Sequence, residues 1–155
     1  MNFETIIIIL QTLGPFTVLV TVYFLVTELK EQNRVARANA RQNIADSHQK
    51  VALAGMKPVL VTTKIKLRNN GELTKEENAV YLTYFSVMLR ARENQFYQFK
   101  IGMLDEDEWN AMLISFKTLF KEPKHLEIWD FIKITFAEDF VELVDDQIKQ
   151  SKLYG

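Results

Sequence analysis

Between Ile6 and Val26 the chain carries no charged side chain; the stretch reads IIIILQTLGPFTVLVTVYFLV. A helix rises about 1.5 Å per residue, so roughly 20 such residues cross the ~30 Å hydrocarbon core of a bilayer. A backbone in lipid must satisfy its own polar groups, which makes a helix the expected form. Buried helices of soluble proteins are also apolar all round, but they usually run about 8–20 residues and lie between other elements. This run passes abruptly into ELKEQNRVARANARQ. A cleaved signal peptide is the nearest rival. It requires a basic start, a shorter apolar core and a small-residue cleavage site. Here the start is Met-Asn-Phe-Glu, and no A-x-A pattern follows. The expectation is a retained transmembrane anchor over residues 1–27.

Charge gives the direction. No Lys or Arg precedes the apolar run, whereas Lys30, Arg34, Arg37 and Arg41 follow it. Basic residues beside a span stay on the cytoplasmic side. The N-terminus is therefore expected outside the membrane, and residues from about 28 onward in the cytoplasm. Tyr23 and Phe24 stand where an interfacial aromatic belt forms. The absence of cysteine fits a reducing compartment without requiring one.

Gln11, Gly14, Thr17 and Thr21 share one face of the span at ~100° per residue. Small and hydroxyl residues let membrane helices approach closely, so this is a candidate packing face. The alternative is that the threonines bond back to their own helix. Pro15 removes one backbone donor and is a candidate bend.

Residues 28–55 read as a juxtamembrane helix or stalk, with a narrow stripe of Val35, Ala38, Ile44, Ala45 and Ala52 and a stop at Gly55. Residues 56–150 read as a helical domain and 151–155 as a tail. The β-branched run after Pro58 favours a strand. It has no partner strand, so a short helix with Pro58 in its first turn is expected. Asn69-Asn70-Gly71 marks a turn. Thr74 and Glu77 form a capping box before a helix over about 75–100. Its core face is Tyr81, Phe85, Met88, Leu89, Phe96 and Phe99, and Gly102 closes it. Asp105 is expected to cap a helix running to about Lys121 that buries Trp109, Met112, Leu113, Phe116 and Phe120. After Pro123 a shorter helix holds Leu126, Ile128, Trp129 and Ile132. A break near Thr135 precedes a last helix over about 137–150, with Phe140, Val144 and Ile148 inward. Each amphipathic face needs a partner, so the fold class is all-α: one transmembrane helix followed by an irregular cytoplasmic bundle.

The run from Asn94 to Trp109, with Glu93 before it, fits E-N-x-[FY]-x-x-[FY]-x-x-G-x-[LI]-[DE]-x-x-x-W. In this it resembles a large class of small bacterial proteins that carry an N-terminal membrane helix and a helical domain. The resemblance spans about residues 1–148 and takes in Ile128-Trp129 and Phe140 to Val144. It implies the fold and the membrane location, and brings no reaction with it.

Arg92, Glu93 and Asn94 sit beside the aromatic stripe as a possible polar cluster. An inward Arg92 needs a carboxylate, and the expected source is one of Glu106–Glu108 or Glu138–Asp139. Such a cluster is either a binding pocket or an ion pair that fixes helix register. His48 and His125 lie on different elements without metal-ligand spacing, so no metal is expected. The acidic run Asp105–Glu108 lacks the alternation and the glycine of a calcium loop. With no cysteine, no G-x-S-x-G and no phosphate loop, neither an enzyme nor a cofactor is expected. The net charge of −1 gives no reason to expect nucleic acid. The expected partners are the lipid bilayer and either a second copy or another membrane protein. The resulting reading is a non-enzymatic, membrane-anchored interaction protein. Its alternative is a ligand-responsive sensor or effector, as in stress response or phage exclusion, with a cavity among Tyr81, Phe85, Trp109 and Trp129.

Overall fold

The computed structural model describes residues 2–153. Among these residues the regular structure is entirely helical: α1 (Phe3–Gly55), α2 (Pro58–Arg68), α3 (Lys75–Lys100), α4 (Glu106–Leu119), α5 (Pro123–Ile132), a 3₁₀ turn (Lys133–Thr135) and α6 (Glu138–Leu153). Of the tail expected over 151–155, the first three residues belong to α6, and residues 154 and 155 lie outside the described residues. Contacts divide the chain into two compact units, Met1–Asn39 and Ala40–Gly155.

The first unit is the leading part of α1, a 53-residue helix that runs through Pro15. It is long and apolar enough to cross a membrane, and no part of its apolar window is buried. Phe16, Leu19 and Phe24 stand fully in the open.

In the second unit the remainder of α1 turns Ala40, Ile44, Ser47, Val51 and Ala54 toward its neighbours. Of the stripe read from the sequence, Val35, Ala38, Ala45 and Ala52 are exposed and only Ile44 is partly covered. Three of the four exposed residues are alanines, which bury too little apolar area to fix a face. The sequence began the helical domain at residue 56; the compact unit begins at Ala40.

The expected helix at Pro58 forms, and its positive-φ residue is Asn70 at 53° rather than the adjacent glycine. Asn70 N–H donates to Leu67 O and Gly71 N–H to Lys66 O, a left-handed closure of the helix end. Thr74 and Glu77 exchange both capping-box bonds, at 3.1 and 2.9 Å. Gly102, with φ 73°, closes α3 as the spacing predicts. A side chain there would meet the left-handed penalty.

Asp105 differs from expectation. It holds the N-cap position of α4 but makes no capping hydrogen bond. Its carboxylate instead lies 2.5 Å from the Arg41 guanidinium, whose Nε reaches Glu108 at 3.1 Å. These groups are half-exposed, so the pair contributes at most about 1 kcal/mol. The helix also ends at Leu119 rather than near Lys121.

α3 packs on α2, α4 and α5, and α4 packs on α6. One core joins Leu60 of α2, Phe85 and Leu89 of α3, Phe116 of α4, Trp129 of α5, and Phe140 and Val144 of α6. Every residue named from periodicity on α3 to α6 lies buried or partly buried. Replacing Phe140 by Ala opens a cavity and is expected to cost about 3–5 kcal/mol. Thr74→Ala loses the cap and costs about 1 kcal/mol. Urea unfolding followed by the fluorescence of Trp109 and Trp129 reads both, and equal midpoints for wild type and Phe140→Ala would contradict the packing.

Candidate functional site

Of the expected polar cluster, Arg92 parts from Glu93 and Asn94. Arg92 points from α3 toward α1, where its Nη1 lies 3.3 Å from His48 Nε2 and 3.1 Å from Gln95 Oε1. Gln95, fully buried, also donates its amide to His48 Nε2. No carboxylate pairs with Arg92 among the described residues; a histidine and an amide take the place expected of Glu106–Glu108 or Glu138–Asp139. Burial holds its pKa below the usual arginine value.

Glu93 turns the other way. One carboxylate oxygen accepts the Ala137 N–H at 2.8 Å, just ahead of α6, and the other binds Arg90 at 2.7 Å. Arg90 in turn donates to Thr135 O and Oγ1 and lies 3.9 Å over the Phe136 ring. Glu93 and Asn94 do share a cleft of about 330 Å³ with Arg90, Tyr97, Lys100 and Asp139. Its charged groups are already paired, Arg90 with Glu93 and Lys100 with Asp139.

A second polar site joins residues that no sequence spacing connects. Tyr81 of α3 and His125 of α5 meet at 2.7 Å, hydroxyl to Nε2. The other ring nitrogen, Nδ1, lies 2.6 Å from Leu119 O. A carbonyl only accepts, so Nδ1 carries the proton and Nε2 accepts from the tyrosine. Burial pushes the Tyr81 hydroxyl up to about 12, with the Glu122 charge adding to it. Lys64 stands nearby, 3.4 Å from both the Gly55 carbonyl and the Tyr84 hydroxyl. Its ammonium closes the end of α1, where cations are favoured. A side chain at Gly55 would displace these groups: an added Cβ would lie 2.8 Å from Tyr84 Oη and 2.9 Å from Lys64 Nζ.

These groups line a cleft of about 330 Å³ with Glu122, Arg68 and Met88. It gathers two tyrosines, a histidine, a lysine and a glutamate. Both imidazole nitrogens are engaged, so His125 has no lone pair for a substrate. The geometry is that of a polar tether between helices rather than an acid–base pair.

Another opening is apolar. Where α1 ends and α2 restarts, the two helices diverge beside α3 and leave a groove of about 550 Å³. Val51, Ala54, Leu60, Val80, Tyr84 and Val87 line it, with Lys50 and Lys57 at its edge. No carboxylate is among the described residues that line it. No cleft described among these residues joins Tyr81, Phe85, Trp109 and Trp129, the four around which a cavity was expected. Trp109 stacks on Phe99 at 5.1 Å and Phe85 on His125 at 4.5 Å, so these rings fill their own space. Only Tyr81 and Phe85 touch a described cleft.

On the apolar segment, Gln11, Gly14, Thr17 and Thr21 all lie exposed. Thr17 donates to Leu13 O at 3.1 Å and Thr21 to Thr17 O at 2.8 Å, which is the back-bonding alternative. The space over Gly14 is open for close approach of another helix. Among the described residues no three His, Cys, Asp or Glu side chains gather as metal ligands.

No family model, no curated protein and no solved structure matches this chain.

His48 and His125 both serve as acceptors at Nε2, and burial holds both pKa values below 6.5, with the Arg92 charge adding to the effect at His48. The unfolded chain therefore binds more protons just below pH 6.5, and stability falls as pH drops through that value. Unfolding free energy is expected to decrease between pH 7.5 and 5.5, and the double variant H48Q/H125Q to flatten that slope. An unchanged slope in the double variant would assign the pH response to other groups.

Proposed function

We propose that this chain is a single-pass, membrane-anchored interaction protein of the bacterial inner membrane. The end ahead of the span lies outside, and the helical domain lies in the cytoplasm. It acts without chemistry of its own, as a homo-oligomer or as an accessory subunit of a membrane complex. The observation that carries this reading is the uncharged run Ile6–Val26, whose described side chains find no protein core to enter. Large apolar surface of this kind is stable only against lipid or another protein. Lys30, Arg34, Arg37 and Arg41 support the orientation. Gly14 and the threonines beside it support helix association within the bilayer. The three engaged polar sites support a binding role over a catalytic one. The signature from Glu93 to Trp109 supports membership of the class of anchored bacterial proteins that it resembles.

A ligand-responsive effector is the second reading, and the 550 Å³ groove favours it. That size lies within the range of small-molecule sites.

Membrane fractionation tests the first reading. The chain is expected to stay in the pellet after alkaline carbonate washing. The helical domain is expected to be cut by trypsin in inside-out vesicles and protected in intact spheroplasts. Recovery in the carbonate supernatant would remove the anchor, and protection in inside-out vesicles would reverse the orientation.

A further inference from the structure

The domain carries a second apolar feature, and it complements the groove. α5 buries Ile128, Trp129 and Ile132. Helical periodicity then places Glu127, Asp130 and Phe131 together on the opposite face of α5, an i, i+3, i+4 set, and Ile134 follows in the 3₁₀ turn that continues from the helix. Phe131 is 71 % exposed and Ile134 87 % exposed, unusual for side chains of that size. The charges beside them are sorted. Glu127 and Asp130 are 69 % and 70 % exposed, whereas their lysine partners Lys124 and Lys133 are 19 % and 33 % exposed. The lysines lie back against the body of the domain and the carboxylates stand outermost, so this knob presents apolar bulk rimmed by negative charge.

The groove has the opposite character. Its floor and walls are Val51, Ala54, Leu60, Val80 and Val87, and the charged groups at its edge are Lys50 and Lys57. Two grooves facing each other would bring these lysines together, which disfavours symmetric pairing through this surface. Groove against knob brings lysine to carboxylate and apolar wall to Phe131 and Ile134.

We infer that the groove between α1, α2 and α3 receives the Phe131–Ile134 knob of a second copy of this chain. The contact joins two different surfaces, so each copy keeps one free groove and one free knob. Such contacts build rings or open arrays rather than stopping at a dimer. Two side chains and their rim make a small interface, below the ~1,200 Å² of stable complexes. Anchoring in one bilayer compensates, because tethered partners meet at high effective concentration. The inference deepens the proposed function and rests on it for that concentration.

The chain has no cysteine, so introduced pairs report this contact alone. Two full-length versions are co-expressed in their membrane, one with Val80→Cys and one with Ile134→Cys, and oxidised with copper phenanthroline. A disulfide-linked dimer is expected at about tenfold the yield of Val80→Cys paired with Asn110→Cys, an exposed site on α4. Lys50→Glu with Lys57→Glu in the Val80→Cys copy is expected to abolish the band. Glu127→Lys with Asp130→Lys in the Ile134→Cys copy is expected to restore it. A yield no greater than the Asn110 control, or Val80→Cys linking chiefly to itself, would overturn the inference. If the chain still runs in native gels as a membrane complex larger than one copy, the proposed function survives that loss. Cross-linking by a chain that washes off the membrane would keep the contact and remove the anchor.

Discussion

Phe140 is the residue on which the packing of the domain turns. It is fully buried near the start of α6, and four rings surround it: Phe96 of α3 at 6.0 Å, Phe116 of α4 at 6.2 Å, Trp129 of α5 at 6.3 Å, and Phe136 at 5.7 Å. One side chain thus holds three other helices in register. Edge and tilted ring contacts of this kind add about 0.5–1.5 kcal/mol each beyond the area they bury. The corner before α6 must be shaped for Phe140 to arrive there. Arg90 grips the carbonyl of Thr135 and covers Phe136, while Glu93 accepts the N–H of Ala137. An exposed ion pair contributes little by itself, but one that also binds two backbone groups fixes a chain direction. Trp129 adds a bond from its indole N–H to Asp145, tying α5 to α6 at 2.7 Å.

The same logic gives several residues of the signature a structural task. Glu93 binds the corner of α6, Gly102 takes the left-handed closure of α3, and Leu104 and Trp109 are buried. Phe96 and Phe99 pack on Trp109 from one side. Each is needed to connect α3 to α4 and α6, so the pattern is intelligible as a folding code without any reaction. The two histidines follow suit. Each spends a lone pair on fastening a neighbouring helix to α3, His48 from α1 and His125 from α5.

Against an interior in which Gln147 Oε1 is a buried side-chain oxygen without a partner among the described residues, the apolar exterior is the more informative part. Apolar residues left outside include those of the uncharged segment of α1, those around the groove at the α1–α2 turn, and Phe131 and Ile134, with Ile65, Tyr97, Ile101 and Ile114 exposed elsewhere. The groove and the Phe131–Ile134 knob carry opposite charge at their edges. This pairing of shape with charge is what the self-association inference uses, and neither feature is required by the core.

Much of this protein was determined by its sequence alone. Hydrophobic period, caps and breakers fix α2 to α6 within a few residues, because each signal acts over one or two helical turns. The uncharged run Ile6–Val26 makes a helix long and apolar enough to cross a membrane, a property of length and composition alone. Tertiary structure decided what depends on contacts across tens of residues. It turned Asp105 from a cap into a partner of Arg41, 64 residues away. It gave Arg92 a histidine in place of a carboxylate, and joined Tyr81 to His125 across 44 residues. It chose which face of the alanine-rich part of α1 meets the bundle, where small side chains left the choice open. The groove and the knob were equally invisible in sequence, because a residue is recognised as left outside only once the helices have taken their partners.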